Sequence, residues 1–270
     1  MTRSVALVTG ASSGIGAAVA KRLASAGYRV WGTARRPADP PGAVPTLALD
    51  VRSDESVEAC IAALLREEGR LDAVINNAGI TATGAIEETS AAEALAVLDT
   101  NLLGAHRVTR ACLPHLRASR GHVIFVGSIA GFLPKPFEAF YAASKHALRA
   151  YAESLRFEVE PFGVRVALLE PGFVQTGLAT RADGVAERLP EYAARRQRAE
   201  RGLGDDVRGG VHVAAVAAEV ARLLREPSPP LRTLVGRDAF VLHALRALLP
   251  RRAFAAGLRR RFDGRLRTNP

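Results

Sequence analysis

The sequence is poor in several things, and each shortage excludes something. Two cysteines in 270 residues cannot staple a disulfide-built scaffold. Cys60 and Cys112 both fall in helical-looking stretches and read as buried, reduced thiols, which fits a cytoplasmic location. Neither has a histidine or cysteine partner at ligand spacing. His106, His115, His122, His146, His212 and His243 show no such spacing among themselves, so no metal is expected. No apolar run approaches the ~20 residues of a membrane span. The first residues lead straight into Val5-Ala6-Leu7-Val8, a strand-like run too short for a secretory core, so no signal peptide is expected. With aromatics at 6% and one methionine, there are no stripes of either.

What is present suits one large α/β domain spanning 1–270. Hydrophobic residues make up 48% and charged residues 24%, which excludes global disorder. The net charge of +10 is carried almost wholly by arginine, and it is uneven. Between Arg246 and Arg267 stand eight arginines and one acid, Asp263, so the rest of the chain is close to balanced. Such a tail can meet a membrane surface or an acidic partner, or be a solvated helix. No nucleic-acid reading motif accompanies it, so no nucleic-acid partner is expected.

Short apolar runs alternate with helical patterns. Strands are expected at Val5–Val8, 28–33, 47–49, 73–75, 123–126, 164–169 and 233–235. Helices are expected at about 17–26, 54–68, 91–116, 139–160 and 214–225. Runs without alternation mean strands buried on both faces, hence a doubly wound parallel sheet of about seven strands with helices on both faces. The stretch 173–210 reads as an irregular segment after strand six, and 238–270 as a basic helical extension.

Four strand ends carry small or polar residues. After the first strand come Thr9-Gly10-Ala11-Ser12-Ser13-Gly14-Ile15-Gly16 and then a helix, an arrangement that offers backbone N–H groups to a phosphate. After the second come Ala34, Arg35 and Arg36. An acid there would take a ribose 2′-hydroxyl, whereas arginines suit a 2′-phosphate; the nearest acid, Asp39, lies beyond in a proline-rich stretch. Asn76-Asn77-Ala78-Gly79 follows the fourth strand, Ser128 the fifth and Pro171-Gly172 the sixth. Tyr141 and Lys145 stand four apart, on one helical face. Alone, such a pair is common on surfaces. Beside a nucleotide site, a cation is expected to pull the phenol's pKa down from ~10 toward neutrality.

The chain from Val5 to about Thr176 resembles the single-domain branch of the short-chain dehydrogenase/reductase family. Thr9 to Gly16 is similar to its cofactor turn, and Asn76 to Gly79 reproduces its Asn-Asn-Ala-Gly. Asn101, Ser128, Tyr141 and Lys145 fall where its catalytic tetrad falls, and Pro171, Gly172, Val174 and Thr176 where its nicotinamide-side motif falls. The resemblance implies a Rossmann-type fold and NADP(H) held by Gly10, Ser12, Ser13, Gly14, Ile15, Gly16, Arg35, Arg36, Asp50, Val51, Asn77, Ala78, Gly79, Tyr141, Lys145 and the Pro171–Thr176 stretch. It also implies roles: Tyr141 as acid/base, Lys145 on the ribose, Ser128 on the substrate oxygen, and Asn101 holding a helix irregularity and a water. Homo-oligomers through the two long helices are a further expectation of the resemblance.

The substrate side is apolar on balance, with Phe132, Leu133, Pro134, Pro136, Phe137 and Phe140 after Ser128, then Phe173, Leu178, Leu189 and Tyr192. This favours an apolar ketone, aldehyde or secondary alcohol. No arginine is fixed there by the pattern, although Arg181 and Arg188 are near enough to enter. The tail loosely resembles that of hydroxysteroid and retinol dehydrogenases. Val241, Leu242, Leu245, Leu248 and Leu249 form an apolar stripe, which either covers the pocket or lies on a membrane surface as a peripheral contact. The rival to an enzyme is a nucleotide-binding sensor or scaffold without turnover.

Overall fold

The computed structural model describes residues 3–37, 43–177 and 183–263. Asp39, Leu178 and Arg181, and the end of the basic extension from 264 on, lie outside the described residues. In chain order the strands are β1 (Val5–Val8), β2 (Arg29–Ala34), β3 (Thr46–Ala48), β4 (Ala73–Asn76), β5 (Ala82–Thr83), β6 (His122–Val126), β7 (Arg165–Pro171), β8 (Asp183–Gly184) and β9 (Arg232–Val235). Seven form one parallel sheet in the order β3-β2-β1-β4-β6-β7-β9, and β5 pairs with β8 as a separate two-stranded ladder. The chain therefore runs outward from β1 to β3, then returns to β4 on the other side of β1. That reversal opens a crevice at the strands' C-terminal ends, where open α/β sheets bind ligands.

Successive strand residues point to opposite faces, and both faces of this sheet are covered. Val5, Leu7, Val74, Phe125 and Leu168 pack on one side, against α2 (Asp54–Glu68), α4 (Gly104–Ser119) and α5 (Ala139–Val159). Ala6, Val8, Ile75, Ile124 and Leu169 pack on the other, against α1 (Gly14–Ser25) and α7 (Val213–Leu223). This two-sided burial is why the strands show no polar alternation. Local signals set the ends of α2: Ser53 Oγ accepts from Ser56 N at 3.1 Å, and Gly69 closes the helix at φ +67°.

Two stretches are more than the periodicity alone gives. Residues 91–119 are α3 (Ala91–Leu98), a π turn (Asp99–Leu103) and then α4 rather than one regular helix, and the π turn holds Asn101, the helix irregularity that the family resemblance implied. The stretch 173–210 is not irregular throughout, since α6 (Pro190–Gly209) fills its second half. Only Arg196 and Ala199 of α6 are buried, so the helix has no apolar stripe for a sequence to reveal. Ionic and polar contacts fix it instead. Arg196 pairs with buried Glu88, Glu88 also accepts from Leu189 N at 2.8 Å, and Tyr192 Oη donates to Glu87 at 2.6 Å. The basic extension holds two helices, α8 (Arg237–Leu248) and α9 (Arg251–Asp263).

Candidate active site

The glycine turn between β1 and α1 is braced from β4. Gly10 and Gly14 hold φ of +65° and +57°, which favour glycine. A Cβ on Gly16 would lie 2.2 Å from the Gly10 carbonyl oxygen. Thr9 Oγ1 accepts from Asn77 N and Ala78 N at 2.9 and 3.0 Å, while the Asn77 amide donates to the carbonyls of Thr9 and Gly10 at 2.9 and 3.2 Å. Asn77 thus holds the turn with its side chain rather than offering that side chain to a ligand. The first turn of α1 carries no acid, so its positive dipole end meets no side-chain carboxylate. Thr176 lies over Gly14, where an added Cβ would stand 3.6 Å from Thr176 Cγ2. A backbone-lined helix N-terminus without acids fits the diphosphate of a dinucleotide.

Farther along the same edge, Ser12, Arg35 and Arg36 are exposed, and Ser13 and Ile15 are half-buried. Asp50 is tied by Arg52 at 3.0 and 2.7 Å, and this hydrogen bonding holds its carboxyl down at about 2 against a smaller desolvation cost. Val51 is buried and packs where Gly104 leaves room for it. Gly172 N donates to Val235 O at 2.9 Å, and buried Val174 bridges to Val211.

Ser128, Tyr141 and Lys145 converge. Ser128 follows β6, and Tyr141 lines the same small cavity of about 90 Å³. Lys145 Nζ donates to Val126 O at 2.9 Å and lies 5.7 Å from the Tyr141 ring centre. Asn101 sits in the π turn, and its amide is spent on scaffolding. Its Oδ1 accepts from Ile80 N at 2.8 Å, and its Nδ2 donates to Ile80 O at 2.9 Å and Ser144 Oγ at 3.0 Å. Ser144 Oγ in turn donates to Tyr141 O at 2.7 Å. In this arrangement Asn101 is a positioning residue, linking the strand β4 exit to the helix that carries the tyrosine.

The electrostatics reverse one expectation. Burial pushes Tyr141 up to about 12, and its hydrogen bond with Ser128 only partly offsets this; the Glu138 carboxylate raises it further. Burial also pushes Lys145 down to about 8. At about 8 the lysine is still mostly charged near neutral pH, but burial of the phenol outweighs any lowering from its neighbours, so Tyr141 stays protonated rather than being drawn toward neutrality.

Three side chains missed in the sequence crowd this cavity. Thr81 Oγ1 donates to buried Glu138 at 3.0 Å, Lys135 pairs with Glu138, and Lys135 Nζ lies 5.4 Å from the Tyr141 ring centre. Lysine is scarce in this arginine-rich chain, and two of its lysines flank one tyrosine. That scarcity was the available signal. Ile129, Lys135, Glu138, Phe173 and Leu203 also border a second cavity of about 340 Å³, which continues under α6, α8 and α9. Leu133, Pro134, Pro136 and Phe137 line it as expected. Phe132 instead stacks on His243 at 5.3 Å, and Tyr192 stacks on Phe137 at 6.5 Å. Leu203, Leu242 and Leu258 add apolar wall, and Arg198, Asp205 and Asp206 add charge at its border. Arg188 lies against Gly184. Both cysteines are free and buried, and burial raises Cys60 to about 11.

Comparison with known proteins adds an independent line. The short chain dehydrogenase family model matches residues 4–184. A 3-ketodihydrosphingosine reductase of Bacteroides thetaiotaomicron is 35% identical over 247 residues, covering 90% of this chain and 92% of that protein. Human 17-beta-hydroxysteroid dehydrogenase type 1 is 38% identical over 206 residues, covering 70% of this chain and 62% of that protein. The solved structure of a short-chain dehydrogenase from Streptomyces avermitilis superimposes with a TM-score of 0.79 at 34% identity, covering 96% of this chain and 98% of that one. A short chain dehydrogenase/reductase from Burkholderia phymatum solved with NAD gives a TM-score of 0.78 at 27% identity, covering 95% of each chain. An alcohol dehydrogenase from Thermococcus sibiricus solved with 5-hydroxy-NADP gives 0.70 at 28%, covering 87% of this chain and 96% of that one. The match over most of the chain, on a doubly wound parallel sheet, shows that this protein belongs to the short-chain dehydrogenase/reductase family of oxidoreductases.

Proposed function

We propose that this protein is an NADP(H)-dependent oxidoreductase that interconverts an apolar, lipid-like ketone and its alcohol. The carrying observation is the meeting of Ser128 and Tyr141 in a small pocket that shares Ile129, Lys135, Glu138, Phe173 and Leu203 with a larger, mainly apolar one. The bound nicotinamide supplies or accepts the hydride. Ser128 Oγ and Tyr141 Oη hold the substrate oxygen, and Tyr141 gives it a proton during reduction. A phenol kept protonated by burial suits that direction. Lys145, on the same helix face as Tyr141, is fixed by the β6 carbonyl of Val126 and would hold the cofactor ribose. Glu138 and Lys135 stand where the two cavities meet, so a polar group beside the substrate carbonyl falls against them.

The 3-ketodihydrosphingosine reductase relative favours a long-chain ketone, whose chain the apolar cavity of about 340 Å³ would receive. The exposed Arg35 and Arg36, beyond a buried Ala34 with no acid, support NADP(H) over NAD(H). Exposed Leu95 on α3, Leu103 at the end of the π turn and Phe157 on α5 support assembly with further copies of this chain. Buried free thiols support a reducing, cytoplasmic compartment.

Tyr141→Phe is expected to cut turnover of a long-chain ketone by roughly 10²–10⁴-fold while leaving NADPH fluorescence titrations unchanged. Unchanged turnover would refute the assignment, and NADPH binding with no ketone turned over by the wild type would favour a sensor or scaffold. Arg35→Ala is expected to weaken NADPH on the order of tenfold, with little change for NADH. Equal losses for both would remove Arg35 from cofactor choice.

A further inference from the structure

Helix α8 is apolar on two opposite sides. Its inward side closes the larger cavity: Ala239 is buried, Leu242 lines the cavity, and His243 stacks on Phe132. Its outward side is also apolar. Phe240, Val241, Leu245 and Leu248 are exposed at 59%, 48%, 41% and 81%, and Leu249 continues the surface at 40%. Half of the large apolar side chains that stand exposed among the described residues fall in this one stretch. Single exposed leucines need no explanation, whereas a contiguous patch of this kind marks a contact surface.

The surroundings of the patch select its occupant. Arg237, Arg246, Arg251, Arg252, Arg259 and Arg260 are exposed on α8 and α9. The acid on α8, Asp238, is turned inward, accepting from Phe173 N at 2.6 Å. A second copy seated here would bring like charge against like charge, which disfavours self-association. A bilayer with acidic headgroups offers an apolar interior for the leucines and phosphates for the arginines. No helix among the described residues is long and apolar enough to cross a membrane, so the contact is a surface one.

We propose that α8 and the start of α9 form a docking face for an anionic lipid surface, seated directly over the apolar cavity. Leu242 and Leu258 lie on the cavity side of the same two helices whose other side meets the lipid. The docked protein would take apolar substrate from the bilayer without carrying it through water. Docking stands independently of the reaction, whereas substrate delivery rests on the ketone chemistry proposed above.

The test is co-sedimentation of the full chain with vesicles of phosphatidylcholine alone or mixed with phosphatidylglycerol. The wild type is expected to bind the mixed vesicles and to be released by salt. Phe240→Ser with Leu248→Ser is expected to weaken that binding by roughly tenfold or more. Because both side chains are exposed, the variant should keep its melting temperature and its turnover of a short water-soluble ketone. Turnover of a long-chain ketone embedded in vesicles should fall. Absence of wild-type binding, or equal binding by the variant, overturns the proposal. So does a loss of oligomeric mass in the variant by light scattering, which would assign the face to a second copy. Vesicle binding is read without turnover, so its failure is distinct from failure of the ketone reading.

Discussion

The two halves of the molecule hold their positions by different physics. Up to Thr176 the chain is fixed by burial and dense hydrogen bonding: β1 is buried throughout, and Thr9 alone accepts from Asn77 N and Ala78 N. Beyond Thr176, α7 and β9 belong to the same packed sheet, but α6, α8 and α9, which cover the larger cavity, are charged and mostly exposed. Helix α6 is pinned largely through one buried carboxylate, Glu88, which takes bonds from Ala85 N, Leu189 N and Arg196. The first half cannot move without breaking the cofactor turn. In the cover, α6 hangs on few buried contacts, of which the Arg196–Glu88 pair is the most buried. A cover of this kind is well placed to admit substrate, because the elements that move are drawn from the less stable end of a structure.

The largest expected effect tests the fixed half. Gly16→Ala puts a Cβ 2.2 Å from the Gly10 oxygen and 2.5 Å from Asn77 Nδ2, so the turn must distort. NADPH binding by fluorescence is expected to be lost; retained binding would show that the turn yields more readily than its bracing suggests.

Arg196→Ala tests the cover. It leaves Glu88 buried and unpaired, a change that costs about 3–5 kcal/mol where the group cannot reach water. Local release of α6 relieves that cost, so the expected result is faster hydrogen exchange in α6 and a raised KM for long-chain ketones, with less change in kcat. A uniform fall in global stability with no local signature would place α6 in the fixed half.

The same pin is pH-dependent. Desolvation raises the Glu88 carboxyl, but its hydrogen bonds to Ala85, Arg196 and Leu189 outweigh this and hold it below the ordinary value. A carboxylate depressed in the folded state contributes stability that is present above its unfolded value and lost as pH falls through the folded one. Exchange in α6 should therefore quicken on acidification below the usual carboxylate range, and Arg196→Ala should blunt that dependence. The smallest effect is expected of Gly202→Ala in α6, where an added Cβ meets nothing within 4 Å. It should stabilise the cover by at most about 1 kcal/mol, seen as slower α6 exchange with NADPH affinity unchanged.

Legibility in the sequence follows the same division. The strand ends, the glycine turn and the Ser128, Tyr141 and Lys145 set were readable because burial on both faces and φ-positive glycines leave strong local marks. Helix α6 left none, because its buried residues are Arg196 and Ala199. Thr81, Lys135 and Glu138 were missed because nothing in their spacing shows that a β4 exit and an α5 entrance meet at Tyr141.

The sequence by itself determined the alternation of buried strands and helices, the phosphate-ready turn and the four-residue spacing of Tyr141 and Lys145, since each is a matter of local geometry. Only the tertiary structure decided the proton affinities and the surroundings of that pair. Burial of Tyr141 and Lys145 is a property of everything packed round them, and it outweighs the attraction their spacing implied. The same holds for α8. A stripe of apolar residues is visible in the chain, but which side of the helix meets the cavity and which meets the outside is fixed only when Leu242 finds its wall and Phe240 and Leu248 do not.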